Sequence, residues 1–260
     1  MGIDEGGLGP TRRFSDRADY YLWYRPRYPK AVITCLQEAV GLSPDMVVAD
    51  IGSGTAFLAE LFLEHGNEVF AVEPNEEMRV AAELTLGNLE RFHSMAATAE
   101  ETTLPDDSVD LVTAGQAFHW FDVQCARCEF QRILHPHGWV AVIYNSWNIP
   151  DSPLAEEYLS LVNRYGVDYG RVNCQRHIDS DLLQFFGKSA PAKEQFENPQ
   201  TYDFDALRGR VLSSSYAPLP GHPNYEPMMD GLRKLFEKYA AGQRLSFPYR
   251  TTVYWGQLTC

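Results

Sequence analysis

The feature that most constrains the fold is a short glycine loop between an apolar run and a helix-forming segment. Val47–Ile51 is apolar except for Asp50, and Gly52-Ser53-Gly54 follows directly. The next apolar run ends in an acid, Glu73, nineteen residues after Gly54. Glycines let the backbone approach a ligand closely because they carry no Cβ, and a carboxylate accepts hydrogen bonds from two ribose hydroxyls. The pattern predicts an α/β sheet with a nucleotide site at the carboxyl ends of its first two strands.

The loop differs from a dinucleotide-binding fingerprint. That fingerprint, G-x-G-x-x-G/A, has a small residue at its third position for close helix–strand packing, and here the position is Phe57. Asp50 also stands just before the loop, where its carboxylate would repel a pyrophosphate. An acid there suits a cationic group instead, bound directly or through water. Both residues disfavour a nicotinamide-dependent oxidoreductase on the same fold.

Four segments, in order along the chain, resemble the motifs of class I S-adenosylmethionine-dependent methyltransferases. The glycine loop resembles their first motif, and Val69–Asn75 resembles the second strand with its ribose-binding acid. Residues 98–110 resemble the adenine loop and the run into strand four, and Leu134–Val142 resembles the turn into strand five. Within the class the chain is most similar to the small-molecule type 11 enzymes, and distantly similar to trans-aconitate methyltransferase. The resemblance covers residues 10–145 and continues in outline beyond them.

The resemblance implies S-adenosylmethionine as cofactor and S-adenosylhomocysteine as product. Asp50 is expected near the α-ammonium group, Glu73 at the ribose and Thr98 near the adenine, where many relatives carry an aspartate. Arg25, in an aromatic N-terminal lid, is the candidate partner of the methionine carboxylate; alternatively, this segment is an arm that packs on the sheet edge. The expected cofactor-binding residues are Tyr24, Arg25, Asp50, Gly52, Ser53, Gly54, Glu73, Pro74, Met78, Thr98, Ala99, Gln116 and Ala117.

His119 is the candidate catalytic base, because histidine is the side chain that titrates near neutral pH unassisted. The alternative is that His119 orients a neighbouring group or caps the following turn. Methyl transfer from a sulfonium needs a base only when the acceptor has a proton to lose. Trp120 and Phe121 are interpreted as core or pocket wall. No metal is expected, since Cys125-x-x-Cys128 lies in a helical pattern without a second ligand pair.

Composition limits the choice of partners. The chain has 260 residues, with 35 acidic against 22 basic side chains and a formal net charge of −13. Such a chain has no general attraction to phosphate backbones, so we expect no nucleic-acid partner, although basic residues cluster between Arg12 and Lys30. No apolar run approaches the ~20 residues that span a bilayer. The N-terminus shows no signal-peptide pattern, so we expect a cytoplasmic protein that acts away from membranes; its oligomeric state is left open.

Alternating apolar strands and helices predict an α/β fold with a doubly wound, mostly parallel seven-stranded sheet, the Rossmann-like methyltransferase fold. Residues 1–145 are expected to form the cofactor-binding core with its lid. Residues 146–260 are expected to supply a helical cap, inserted near the C-terminus, and the closing antiparallel strands. Strands are predicted at 46–51, 68–72, 92–96, 110–114, 139–144, 192–198 and 250–257, and helices at 29–40, 55–65, 75–85, 122–134, 152–165, 181–186, 203–215 and 224–239.

The predicted function is methyl transfer from S-adenosylmethionine to a small-molecule acceptor, at oxygen. The Asn/Asp-Pro-Pro-aromatic motif of exocyclic-amine methyltransferases is absent after strand four, where the chain reads Gln116–Trp120. A carboxylate oxygen is slightly favoured, only because of the distant resemblance to trans-aconitate methyltransferase. Two alternatives remain open, an RNA methyltransferase and a protein that binds the cofactor without turnover.

Overall fold

The computed structural model describes residues 24–147, 149–167, 169, 178–187 and 190–258. The strands are β1 (Val47–Ile51), β2 (Glu68–Val72), β3 (Phe92–Met95), β4 (Val109–Gly115), β5 (Leu134–Ser146), β6 (Ala192–Glu197), β7 (Gln200–Tyr202), β8 (Leu245–Phe247) and β9 (Arg250–Gly256). The α-helices are α1 (Ala31–Val40), α2 (Phe57–His65), α3 (Glu76–Leu86), α4 (Val123–Ile133), α5 (Pro153–Tyr165), α6 (Ile178–Phe186), α7 (Phe204–Leu212) and α8 (Tyr225–Tyr239). The lid residues before Tyr24 lie outside the described part of the chain.

Seven strands form one sheet in the order β3-β2-β1-β4-β5-β9-β6. The first five strands are parallel, whereas β9 pairs antiparallel with both β5 and β6. The strand order reverses between β1 and β4, which places a topological switch point where their carboxyl ends diverge. The predicted α/β class and mostly parallel seven-stranded sheet are therefore confirmed.

Apolar layers cover both faces of the sheet. Alternate residues of a strand point to opposite faces, so Ala49 and Ile51 pack in one layer with α4 and α6. Val48 packs in the other layer with α1, α2 and α3. Strands buried on both faces explain the nearly unbroken apolar runs of the sequence.

Side-chain caps start several of the helices where the sequence predicts them. The Asn75 side chain accepts a hydrogen bond from the Met78 amide, and Asp122 accepts from the Gln124 and Cys125 amides. Such caps satisfy amides that have no partner within the helix. The Asn75 cap also fixes the start of α3 two residues after Glu73, the acid that follows β2.

A third apolar cluster lies outside the sheet layers and forms the core of the cap. It joins α5, α7, α8 and the ribbon β7–β8, and includes Tyr158, Val211, Leu232 and Phe247. We use "cap" for these five elements. The helices α7 and α8 fall between β6 and β9, the sixth and seventh strands of the main sheet, as the sequence predicts.

Two local features differ from the sequence prediction. The β7–β8 ribbon is additional; each strand has only three residues, too few to show an alternating pattern. The strand β5 begins at Leu134 rather than after a turn at Gly138, and its pairing with β4 shifts register between Val109 and Leu111. Among the described residues, no helix is both long and apolar enough to cross a membrane.

Candidate functional site

A cavity of about 250 Å³ opens at the carboxyl ends of β1, β2 and β4. Nine of the predicted cofactor-binding residues line it, namely Gly52, Gly54, Glu73, Pro74, Met78, Thr98, Ala99, Gln116 and Ala117. Trp120 and Phe121 also line it, in agreement with the interpretation of these rings as core or pocket wall. The sequence analysis missed three further lining residues, Asn75, Glu100 and Gly115.

The Glu73 carboxylate is held by two backbone amides. The Gly54 amide donates to Oε2 and the Asn75 amide donates to Oε1, each at a nitrogen–oxygen distance of 2.9 Å. Burial raises the pKa of Glu73, while these two amides and the nearby Arg79 act in the opposite direction. Each carboxylate oxygen can accept more than one hydrogen bond, so each keeps capacity for a hydroxyl of a ligand.

The two glycines of the loop meet different surroundings. Gly52 has φ +67°, and a Cβ there would lie 2.5 Å from the Cβ of Ala117. Gly54 has φ +57°, and a Cβ there would meet no atom within 4 Å. Because Gly54 lines the cavity, an added methyl group would occupy space that the cavity offers to a ligand. Position 52 must therefore be glycine because Ala117 packs against it. At Gly54 the space in front of the backbone is open, so a ligand could occupy it.

The far wall of the cavity is apolar with a polar rim. Met78 and Ala99 are buried, and the Phe121 ring faces the glycine loop. Thr98 is exposed at the rim. Glu100 accepts a hydrogen bond from the Asp122 amide at 2.9 Å, so its position depends on the start of α4. Apolar walls with a few polar groups are typical of sites for small organic ligands.

A second, smaller cavity adjoins the first and contains opposite charges. Arg25, Asp50, Ser53 and Thr55 line it, and Gly52, Gly115 and Gln116 line both cavities. The Asp50 carboxyl is completely buried. Its Oδ1 accepts from the Thr113 hydroxyl at 3.0 Å, whereas its Oδ2 and the Thr55 hydroxyl have no hydrogen-bond partner in the part of the chain that the structure describes. Burial raises the pKa of Asp50 to about 7, so a cation beside it would favour the ionised form.

Arg25 connects this small cavity to the cap. Its Nη2 donates a hydrogen bond to the Ser213 carbonyl oxygen at a distance of 2.8 Å. Tyr24, one residue earlier, packs on the cap, since a Cβ at Gly209 would lie 2.3 Å from a carbon of the Tyr24 ring. Tyr24 lines neither of the two cavities, and its proposed cofactor contact stays a prediction.

His119 lines neither of the two cavities. Its Nδ1 is 3.2 Å from the Tyr144 hydroxyl oxygen. Its backbone amide donates to the same oxygen, also at 3.2 Å. Burial, together with the positive charge of Arg25, lowers the pKa of His119 to about 4. The imidazole is therefore neutral at physiological pH, and its role as a catalytic base stays a prediction.

No group of three or more potential metal-binding side chains comes together within the described ranges. Cys125 and Cys128 are exposed on α4 as free thiols.

Two of the missed cavity residues had a signal in the sequence, namely the strand-ending glycine Gly115 and the helix cap Asn75. Gly115 ends β4, and Asn75 lies two residues after Glu73 and caps α3.

Comparisons with known proteins agree with this architecture. Residues 49–142 match the family model described as a methyltransferase domain. The chain is 34% identical over 230 residues to an uncharacterized methyltransferase of Mycobacterium tuberculosis, with 87% of this chain and 88% of the relative covered. This chain belongs to that methyltransferase family.

Two solved structures share the fold. A methyltransferase from Anaeromyxobacter dehalogenans superposes with a TM-score of 0.65 at 24% identity, over 90% of this chain and 98% of that chain. A methyltransferase from Thiobacillus denitrificans, solved with S-adenosylhomocysteine, gives a TM-score of 0.55 at 14% identity, over 97% and 100% of the two chains. At these identities the likeness concerns the fold.

Proposed function

We propose that the protein transfers a methyl group from S-adenosylmethionine to a small-molecule acceptor and releases S-adenosylhomocysteine. The observation that carries the proposal is the pair formed by the Gly54 amide and the Glu73 carboxylate at the edge of the cavity. Glu73 would accept the ribose hydroxyls, and the space in front of Gly54 would admit the nucleoside. The apolar wall near Ala99 and Phe121 would receive the adenine.

The second cavity fits the amino-acid end of the same cofactor. The unpartnered Asp50 oxygen suits an α-ammonium group, and Arg25 suits a carboxylate. A buried acid and a guanidinium that line one small cavity match the two charges of an amino acid. A nicotinamide dinucleotide would instead bring a pyrophosphate close to Asp50.

The bound cofactor would supply an activated methyl group on a sulfonium. The chain's own task is then to hold donor and acceptor in line and to exclude water. Glu73 and the glycine loop would orient the nucleoside, and Asp50 and Arg25 would fix the amino-acid end. The neutral His119 would orient its neighbour, the Tyr144 hydroxyl, and would add no positive charge near the site.

The acceptor in this proposal is methylated at oxygen, with a carboxylate slightly favoured. The support is the resemblance to type 11 enzymes and, distantly, to trans-aconitate methyltransferase. The low pKa of His119 is consistent with an acceptor that is already ionised, since such an acceptor needs no base.

Calorimetry with S-adenosylhomocysteine tests the cofactor, and a survey of small acids and alcohols with methyl-labelled S-adenosylmethionine tests turnover. We expect tight one-to-one binding and labelled product from at least one acid. Absence of S-adenosylhomocysteine binding would refute the proposal. Binding without labelled product would favour a non-catalytic protein, and strongly salt-dependent RNA binding would favour an RNA methyltransferase.

A further inference from the structure

Arg210 is a buried cation inside the cap. The residue is 5% exposed and lies on α7. Its Nε donates to the Tyr249 hydroxyl, and its Nη1 donates to the Ser214 hydroxyl over 2.6 Å. Its Nη2 makes no hydrogen bond within the part of the chain that the structure describes. A guanidinium has five N–H donors, so Arg210 keeps donors for a further partner.

Among the described residues, no carboxylate compensates the charge of Arg210. None of the ion pairs among the described residues includes it. An arginine cannot lose its proton at ordinary pH, and a buried charge carries a large desolvation penalty unless it is paired. Arg208, two residues earlier, is the contrasting case, because it is half exposed and pairs with Asp205 at 3.3 Å.

Tyrosine hydroxyls surround Arg210 and supply polarity without charge. Burial raises the pKa values of Tyr158, Tyr202 and Tyr249, so these phenols are neutral at physiological pH. The Tyr158 and Tyr216 hydroxyls are 3.1 Å apart. The Tyr202 hydroxyl is buried close to Tyr249 and, among the described residues, makes no hydrogen bond of normal geometry. The Tyr202 hydroxyl and the Nη2 of Arg210 are therefore two unused hydrogen-bond donors in the same cluster.

This cluster adjoins the candidate cofactor site through Arg25. Arg25 lines the small cavity beside Asp50, and its Nη2 bonds to the carbonyl of Ser213. The next residue, Ser214, bonds to Arg210. The charge of Arg25 also acts on Tyr202 and Tyr249. These contacts link the small cavity to the Arg210 cluster on its cap side.

We propose that Arg210 and the Tyr202 hydroxyl bind an anionic group, a carboxylate, of the methyl acceptor. This inference rests on the proposed methyl transfer, because the anion belongs to the acceptor. A carboxylate would accept from Arg210 Nη2 and from the Tyr202 hydroxyl and would neutralise the buried guanidinium. The acceptor is accordingly a small organic acid, and the cap selects it by charge.

Paired acids and amides of equal shape test the proposal. Benzoate, cinnamate and octanoate are each titrated against their primary amides by calorimetry, with the wild-type protein and with three variants. Arg210→Met removes the buried charge, Tyr202→Phe removes only the unused hydroxyl, and Arg208→Met is the matched loss of an exposed arginine on the same helix. S-adenosylhomocysteine binding is measured separately for every variant.

We expect at least one acid to bind the wild-type protein about tenfold more tightly than its amide, a difference typical of hydrogen bonds to a charged group. Tyr202→Phe should lose most of this preference while melting at or above the wild-type temperature, because it removes an unsatisfied buried hydroxyl. Arg208→Met should keep the preference. If Arg210→Met fails to fold, Tyr202→Phe still decides the question.

Two results would overturn the inference: no acid preferred over its amide by the wild-type protein, or a preference that survives in Tyr202→Phe. Normal S-adenosylhomocysteine binding beside either result would leave the proposed function standing. Conversely, a loss of S-adenosylhomocysteine binding by the wild-type protein would refute the proposed function whatever the acids do.

Discussion

The Gly54 amide and the Glu73 carboxylate are joined by a hydrogen bond of 2.9 Å that ties the loop after β1 to the end of β2. The Gly52 and Ser53 amides add to this connection by donating to the Val72 carbonyl at 2.8 and 3.1 Å. Glu73 therefore has two tasks, to order the glycine loop and to offer its remaining acceptor capacity to the cavity. The first task is visible in the contacts, and the second is a proposal.

Replacing Glu73 with alanine should weaken S-adenosylhomocysteine binding by about 2–3 kcal/mol, the range for hydrogen bonds to a charged group. Calorimetry on the folded variant measures the change. Glu68→Ala is the control, because Glu68 begins the same strand and pairs with His93 at 2.8 Å, away from the cavity. Unchanged affinity in a folded Glu73→Ala protein would contradict the ribose assignment.

Gly54→Ala should abolish cofactor binding, and the bulkier Gly54→Val should do the same. The new methyl group would project into the cavity, where the structure has no atom within 4 Å. The left-handed backbone at Gly54 should also cost about 1–2 kcal/mol of the free energy of unfolding. Circular dichroism should show that the helical content remains.

Gly41→Ala is a matched control for that backbone cost. Gly41 ends α1 with φ +73°, and a Cβ there also meets open space. Chemical denaturation should show similar destabilisation of both alanine variants, whereas only Gly54→Ala should lose binding. Equal cofactor affinities in the two variants would show that the loop is merely a structural turn.

Asp50 predicts a pH dependence of both stability and binding. Its pKa rises from 3.8 to about 7 on burial, so the folded ligand-free protein holds a proton that the unfolded chain has released. The contribution of Asp50 to the free energy of unfolding should therefore fall as the pH rises through this interval. An ammonium group beside Asp50 would favour ionisation, so S-adenosylmethionine should bind with proton release at about pH 6.

Calorimetry in buffers of different ionisation enthalpy measures that release. Asp50→Asn should abolish it. Methylthioadenosine is the ligand control, because it keeps the ribose that we propose to bind Glu73 but lacks the amino-acid group. If S-adenosylmethionine binding to Asp50→Asn, or methylthioadenosine binding to the wild-type protein, released the same number of protons, the titrating group would not be Asp50.

Arg25→Ala should weaken binding of S-adenosylmethionine by about 10–100-fold, through loss of a charge-assisted hydrogen bond. Binding of methylthioadenosine, which has no carboxylate, should change little. Arg27→Ala is the neighbouring control, since Arg27 pairs with Glu60 and stacks on Phe57 at 4.1 Å. Equal losses for both ligands in Arg25→Ala would mean that Arg25 acts through its contact with Ser213 instead.

His119→Ala should cost less than about tenfold in turnover if the acceptor is a carboxylate, because no proton has to leave. With a pKa of about 4, His119 should add no inflection to the pH profile near neutrality. Steady-state kinetics and mass spectrometry of the product check both points. A loss of about 10²–10⁴-fold would instead indicate a base acting on a protic acceptor, and a methylated carbon or nitrogen would exclude the oxygen acceptor.

The sheet and its glycine loop could be predicted because their signals are local. Apolar runs mark β1 and β2, and β2 has the predicted bounds 68–72. Asn75 and Asp122 cap their helices as expected, since side-chain caps act within one turn. The cavity residues on these elements follow from the parallel sheet, in which strands end at a common edge.

The cap could be predicted only in outline because its important features are tertiary. The pattern around Arg210 indicates a helix, but a charged side chain is ordinarily expected at the surface, so its burial among tyrosines has no local signal. The same holds for His119, whose low pKa depends on burial and on Arg25 from a distant part of the chain. Environment, rather than residue type, decides the chemistry at both positions.

The pairing of β6 with β9 has a consequence for how such a protein diverges. The chain leaves the main sheet after Glu197 and returns at Arg250, and these two residues are register partners. Residues 198–249 between them form an excursion, that is, an inserted segment whose two ends are adjacent in the sheet. Natural variation can therefore lengthen, shorten or exchange that excursion without shifting any strand of the sheet. Related chains can therefore differ throughout the cap while they keep the glycine loop and Glu73 after β1 and β2 unchanged.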